Sequence, residues 1–198
     1  MPRILLSLVW LLSGLLLAGP AAALDEALLD ALRQGGHVIY FRHASTDWSQ
    51  QDQSRTDLGG CDTQRNLSET GRAESRRIGA AFEALDIPVG EVLSSAYCRC
   101  KDMARLAFGE FTVSDAVTSV YLHPDQDLRE RRTEALRELL ASPPETGNRV
   151  LIAHMANLQA AKGVVLSEAE AAVYRPDGAG GSELVGQIRV TDWPVPAD

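Results

Sequence analysis

Alternating helical and extended segments predict an α/β fold with a mainly parallel central sheet. Two observations carry that reading. Short apolar runs at 37–41, 91–95 and 149–155 have the length and composition of buried strands, and segments with apolar residues at helical spacing lie between them. The segment from residue 24 to residue 198 is also of a length that closes around one core, so a single domain is expected there.

The elements follow in order. "LDEALLDALRQGG" (24–36) places apolar residues at helical spacing and is stopped by Gly35-Gly36. "HVIYF" is a buried strand. The polar stretch 45–64, "STDWSQQDQSRTDLGGCDTQ", is a loop of a length that suggests function. Residues 67–87 form an amphipathic helix whose N-cap is Ser68, with Gly71 where a capping box would carry Glu or Gln. "EVLSS" is a strand, "YCRCKDMARLAFG" a helix, and "VTSVYL" (117–122) a further strand. Residues 126–142 read as a surface helix with a charged, solvated face. "RVLIAHM" is a third buried strand, "ANLQAAKG" a short helix, and 170–190 a terminal hairpin around "DGAGG".

The first 23 residues, "MPRILLSLVWLLSGLLLAGPAAA", have a basic start, an apolar core and a small-residue end, the pattern of a secretory signal peptide. The apolar core, about 15 residues, is shorter than the ~20 a membrane span needs. The residue directly after Ala23 is Leu24 and not a cysteine, so neither a lipid anchor nor a stable membrane anchor is expected. The expected product is residues 24–198, exported and periplasmic. The chain carries a net charge of −8, and the leader contributes one basic residue, Arg3, and no acid. With no basic stripe, a nucleic-acid partner is not expected. Cys61, Cys98 and Cys100 would enter a compartment that permits one disulfide and a spare thiol; Cys61 with Cys98 is the expected pair, because Cys98 and Cys100 are too close in sequence to bridge easily. "CRC" lacks zinc-ligand spacing, so no metal and no cofactor are expected.

In open α/β sheets ligands gather beyond the carboxyl ends of the strands. The first strand ends in Arg42-His43, the second in Ser94-Ser95 with Arg99 opening the next helix, and a later one in His154. Two arginines and two histidines on one rim are hard to explain as packing, since burying that charge without a ligand is costly. Guanidinium forks match phosphate oxygens. A neutral imidazole held by its other nitrogen is a competent nucleophile toward phosphorus, and a second imidazole, if protonated, would add charge beside the transferring group. The set predicts phosphoryl transfer through a phosphohistidine. Arg65, in "QRN", is a further candidate phosphate or substrate contact.

These residues resemble the histidine phosphatase, or phosphoglycerate mutase-like, superfamily. "RHAST" is similar to its Arg-His-Gly motif, "NLSETGR" (66–72) to its Leu-Ser/Thr-x-x-Gly stretch, "SSAYCRC" (94–100) to its Ser-x-x-x-Arg stretch, and "AHMAN" (153–157) to its second-histidine segment. The resemblance implies a three-layer α/β/α sandwich, with His43 as nucleophile and Arg42, Arg99 and His154 as the phosphate pocket. It also implies Thr46 near the phosphate and Asn157 at the pocket mouth. Departures are Ala44 for the usual glycine, tolerable if its φ is negative, Ala96 for proline, and Cys100 and Met103 for threonines.

The proton donor for an alkoxide leaving group is open: Asp125, Asp127, Glu130, Glu168 and Glu170 are candidates, with Glu170 slightly favoured. Met155 excludes the branch with Asp after the second histidine. His37 and His123 read as structural or exposed. The expected activity is a metal-independent phosphomonoesterase acting on a small phosphorylated substrate. A phosphomutase or phosphotransferase, and a catalytically weak phosphate-binding module, are the alternatives. A serine hydrolase is disfavoured because no Gly-x-Ser-x-Gly elbow is present. Substrate identity and oligomeric state are left open.

Overall fold

A computed structural model describes residues 24–194, so the expected leader, 1–23, lies outside the described residues. In chain order the elements are α1 (Glu26–Gln34), β1 (Val38–Arg42), α2 (Glu69–Ala84), β2 (Val89–Ser94), α3 (Cys98–Phe108), β3 (Thr112–Val113), α4 (Gln126–Ala141), β4 (Asn148–Ala153), α5 (Met155–Lys162), β5 (Ala171–Pro176) and β6 (Ser182–Ile188). The six strands form one sheet in the order β3-β2-β4-β1-β5-β6. β1 pairs parallel with β4, and β2 pairs parallel with both β4 and β3, while β5 and β6 add an antiparallel edge. No helix among the described residues is long and apolar enough to cross a membrane.

β1 shows why its sequence is apolar without alternation. Ile39 and Phe41 enter a core with Leu32 of α1, Ile78 and Phe82 of α2 and Met103 of α3. Val38 and Tyr40 point the other way, into a core with Leu136 and Leu140 of α4 and Leu158 of α5. A strand covered on both faces reads as a continuous hydrophobic run, and the result is the three-layer sandwich. Burying each large side chain contributes roughly 1.5–3 kcal/mol. The first core also takes Trp193, whose ring lies 5.1 Å from that of Phe82.

The "VTSVYL" stretch corrects the strand expectation. Residues Asp115–Val117 form a 3-10 turn and 118–122 are irregular, while the small edge strand is Thr112–Val113. The backbone polar groups of 118–120 are taken by local turns and by side chains rather than by a neighbouring strand. Asn157 accepts from the Val120 amide and donates to the Thr118 carbonyl, and Arg132 donates to the Ser119 carbonyl. Arg132 is accordingly buried, an exception to the solvated face expected of α4.

Gly71 has a physical reason to be glycine. The Ser68 hydroxyl caps α2 by accepting from the Gly71 amide at 3.1 Å. A Cβ on Gly71 would lie 1.9 Å from the Ser45 carbonyl oxygen, on the segment that follows the β1 end. Gly71→Ala is expected to destabilise the fold by about 1–3 kcal/mol, since the clash is with backbone. Urea unfolding checks it; an unchanged midpoint would mean that this close approach is absent in solution.

The loop between β1 and α2 is tied down despite lacking regular structure. Cys61 bridges Cys98, the first residue of α3, and leaves Cys100 as a buried free thiol. The buried Gln64 accepts from the Cys98 amide, and Thr46 and Leu67 form an isolated bridge across the loop base.

Candidate active site

The carboxyl ends of β1, β2 and β4 are adjacent, so the side chains just beyond them converge. The His43 amide donates to the Ala153 carbonyl at the end of β4, and the Ser95 amide to that of Ile152. His43 is 3 % exposed. Its Nδ1 lies 3.0 Å from the Ala44 carbonyl oxygen. A carbonyl can only accept, so Nδ1 carries the proton and Nε2 keeps a free lone pair. Ala44 is not among the residues with positive φ, which is why alanine fits here.

His154 is the residue before α5. Its Nε2 is 2.8 Å from the Ser95 hydroxyl, and its carbonyl accepts from the buried Tyr40 hydroxyl at 2.7 Å. The two imidazoles face each other edge-on, with ring centres 5.4 Å apart. Burial, and after it Arg99, hold the pKa of both histidines well below the usual imidazole value. Both rings are therefore neutral at neutral pH in the ligand-free pocket, including His154, for which a protonated role was considered. Cys100 Sγ lies 3.7 Å from His154 Nε2, but burial pushes its thiol up to about 12, so it is no thiolate nucleophile.

The histidines give the fold a signed pH dependence. Below about pH 6.5 an unfolded imidazole takes up a proton that the folded one refuses. Stability should therefore be fully present above that pH and fall as pH drops, by up to about 1.4 kcal/mol per pH unit for each of the two groups. Urea midpoints between pH 7.5 and 5 test this; a flat profile would mean that the rings protonate freely in the folded state.

Three guanidinium groups surround the imidazoles. Arg42 Nη1 donates to the Leu166 carbonyl at 2.9 Å, and Arg42 Nη2 lies 3.5 Å from Glu168. Arg99 places Nη1 and Nη2 at 2.9 and 3.3 Å from the two carboxylate oxygens of Asp52. Arg65 donates to the Thr46 hydroxyl, lies 3.5 Å from Glu168, and stacks on the Trp48 ring with its guanidinium carbon 4.1 Å from the centre. Among the described residues the Nε atoms of Arg42 and Arg99 are buried without a hydrogen-bond partner.

A cavity of about 430 Å³ opens onto Arg42, His43, Arg65, Arg99 and His154, with Met155 and Ala156 of the first turn of α5 on one side. The positive end of that helix favours an anion. Four arginines, Arg42, Arg55, Arg65 and Arg99, meet two carboxylates, Asp52 and Glu168. The site keeps a surplus of two positive charges, the charge that a phosphate monoester dianion neutralises. Among the described residues no group of three or more His, Cys, Asp or Glu side chains is placed to hold a metal ion.

Arg42, His43, Arg65, Arg99 and His154 thus come together. Thr46 lies beside them, its hydroxyl joining Arg65 to Glu168, to which it donates at 2.8 Å. Asn157 does not reach the pocket mouth. It is 1 % exposed, and its amide is engaged by the 118–120 segment, so it supports the wall from behind.

Of the five carboxylate candidates, Glu168 is the one beside the pocket arginines, 3.5 Å from Arg42 and from Arg65. Glu170, the favoured candidate, accepts instead from the Ser167 amide at 2.7 Å. Between them Ala169 takes the left-handed conformation, with φ 61°, and its amide donates to the His43 carbonyl. Asp125 caps α4 by accepting from the Leu128 amide, and Glu130 accepts from Gln126 on the outer surface of the same helix. Asp127 is exposed in the first turn of α4. His37 and His123 are buried structural residues, as expected; His37 binds the Gly35 carbonyl and His123 accepts from the Asp125 amide.

Sequence reasoning missed Asp52, Trp48 and Arg55. Each stands in a polar stretch with no periodicity, and the one usable signal was the length of the 45–64 loop.

Comparison with known proteins agrees with this geometry. The family model described as histidine phosphatase superfamily (branch 1) matches residues 38–146. No curated protein sequence matches the chain. Among solved structures, the protein histidine phosphatase SixA complexed with tungstate aligns over 78 % of this chain and 97 % of its own, at 17 % identity and a TM-score of 0.50. Phosphoserine phosphatase from Entamoeba histolytica, in complex with 3-phosphoglyceric acid, aligns over 76 % of this chain and 95 % of its own, at 13 % identity and a TM-score of 0.56. At these identities the likeness is one of fold.

Proposed function

Since the chain belongs to branch 1 of the histidine phosphatase superfamily, we propose that it is a metal-independent phosphomonoesterase that works through a phosphohistidine on His43 and is exported to the periplasm. The observation that carries this reading is the buried His43, with Nδ1–H fixed on the Ala44 carbonyl and Nε2 free beside Arg42, Arg99 and His154. The leader-like first 23 residues and the Cys61–Cys98 bridge support export.

In the first step the Nε2 lone pair attacks phosphorus, and the phosphorus–oxygen bond to the leaving group breaks. Arg42 and Arg99 neutralise the charge on the transferring oxygens, and the Ser95–His154 pair faces the same group. The leaving alkoxide needs a proton, and Glu168 is the carboxyl group placed to give it. In the second step Glu168 takes a proton from water as its oxygen attacks phosphorus. The phosphorus–nitrogen bond breaks, its electrons return to Nε2, and inorganic phosphate leaves.

Hydrolysis of an aryl phosphate in the presence of a chelator, from pH 4 to 8, beside His43→Ala, tests the proposal. Activity that survives chelation and disappears in the variant supports it. Phosphate binding without turnover would support the binding-module alternative, and phosphate recovered on an added alcohol would support a phosphotransferase.

A further inference from the structure

The carboxylate on Arg99 lies where an incoming anion would act. Asp52 has a side chain 6 % exposed, in a 20-residue loop otherwise rich in exposed polar groups. Its position is built rather than incidental. Asp52 Oδ1 accepts from the Arg65 amide at 3.0 Å, Oδ2 lies 3.6 Å from Arg55, and the loop is bridged to α3 immediately before Arg99. Both Asp52 oxygens engage the terminal nitrogens of Arg99, the bidentate arrangement that two phosphate oxygens would adopt. The remaining Arg99 nitrogen, Nε, is closed off from water.

We propose that Asp52 is an internal competitor for the phosphate site, holding Arg99 in the ligand-free pocket and weakening its grip on free phosphate. The proposal rests on reading this pocket as the phosphate site. Two effects set its sign. Asp52 covers the edge of Arg99 that a phosphate would use, and its negative charge opposes the approach of a dianion. Without Asp52, Arg99 would be a buried cation lacking its counter-ion, a state costly enough to reward any anion that replaces it. The surplus of two positive charges would become three, exceeding a monoester dianion and holding the released phosphate too firmly for rapid turnover. Asp52 thereby determines how readily the product leaves. A carboxylate that merely oriented Arg99 would act in the opposite direction, because its loss would let the guanidinium wander and loosen the site.

Calorimetric titration of the wild type and Asp52→Asn with inorganic phosphate separates the two. The expected result is binding about tenfold or more tighter in the variant, together with stronger inhibition of aryl phosphate hydrolysis by phosphate. Unchanged or weaker binding overturns the proposal. Should Asp52→Asn fail to fold, a phosphate-bound structure of the wild type decides instead. Asp52 displaced from the Arg99 terminal nitrogens is expected, and phosphate bound with both contacts intact overturns it. Calorimetry does not require turnover: tighter phosphate binding in a protein that hydrolyses no ester would refute the hydrolytic reading while leaving the Asp52 assignment standing.

Discussion

His43→Ala is expected to reduce aryl phosphate hydrolysis by a factor on the order of 10⁴ or more, leaving what the remaining pocket contributes by binding alone. In the proposed mechanism the imidazole supplies the atom to which phosphorus is transferred, and among the described residues of the pocket no second nucleophile stands in its place. His154 has its Nε2 on the Ser95 hydroxyl, and the Cys100 thiol is buried and protonated. The loss should fall on kcat. Arg42 and Arg99 are held by the Leu166 carbonyl, Glu168 and the Arg65 carbonyl rather than by His43, so phosphate should still bind the variant. Rapid alkaline quench of the wild type with labelled substrate should trap one phosphate on His43, because a phosphorus–nitrogen bond survives base and not acid, and the variant should trap none. Equal rates in the two proteins would remove His43 from the mechanism. Because burial keeps the pKa of His43 well below 6.5, the imidazole should remain a free base on the acid side, and kcat/KM should hold up below that pH before it declines.

Glu168→Gln should separate substrates by their leaving groups. An alkyl phosphate releases a strongly basic alkoxide and should lose a factor of about 10²–10⁴, whereas an aryl phosphate needs little proton assistance and should change by about tenfold or less. The substitution preserves shape, and the amide oxygen can still accept from the Thr46 hydroxyl, which now donates at 2.8 Å. It removes the charge facing Arg42 and Arg65, both 3.5 Å away. That electrostatic effect acts on both substrate classes alike, so the ratio of alkyl to aryl rates isolates proton delivery. An equal fall for the two would mean that Glu168 orients the arginines and gives no proton.

The charged ligands of this pocket were legible because strand ends are legible. An apolar run that stops on Arg42-His43, and another on His154, fixes those side chains at the rim once the sheet is parallel. The three cysteines narrowed the bridge to Cys61 with Cys98 or with Cys100, since the last two are too close in sequence to pair easily, and the structure has the expected Cys98 pairing. The distinction between Glu168 and Glu170 had no such basis. They stand two residues apart, and the left-handed turn at Ala169, a conformation that an alanine does not advertise, gives one to the arginines and the other to a local amide. Asn157 was misplaced because a motif gives position along the chain but not whether an amide faces a cavity or the backbone of residues 118–120 behind it. Residues 117–122 misled for a related reason: their β-branched composition suits a strand, but local turns and side chains rather than a partner strand take up their polar groups. Asp52 could not be distinguished from its polar neighbours, since its importance comes from where the bridged loop delivers it.

That bridge couples two parts of the molecule that would otherwise fluctuate separately. Closing a loop across a sequence separation of 37 raises the free energy of the unfolded chain by about 4 kcal/mol at room temperature through lost entropy. Its local effect is to make residues 47–65 and the first turn of α3 one cooperative unit. An opening that lifts Asp52 and Arg65 away from the pocket must strain the turn that carries Arg99, so half-open pockets are disfavoured. With the bridge reduced, the loop is free to fray alone, leaving a folded sheet with its histidines in place and the proposed phosphate site missing one wall.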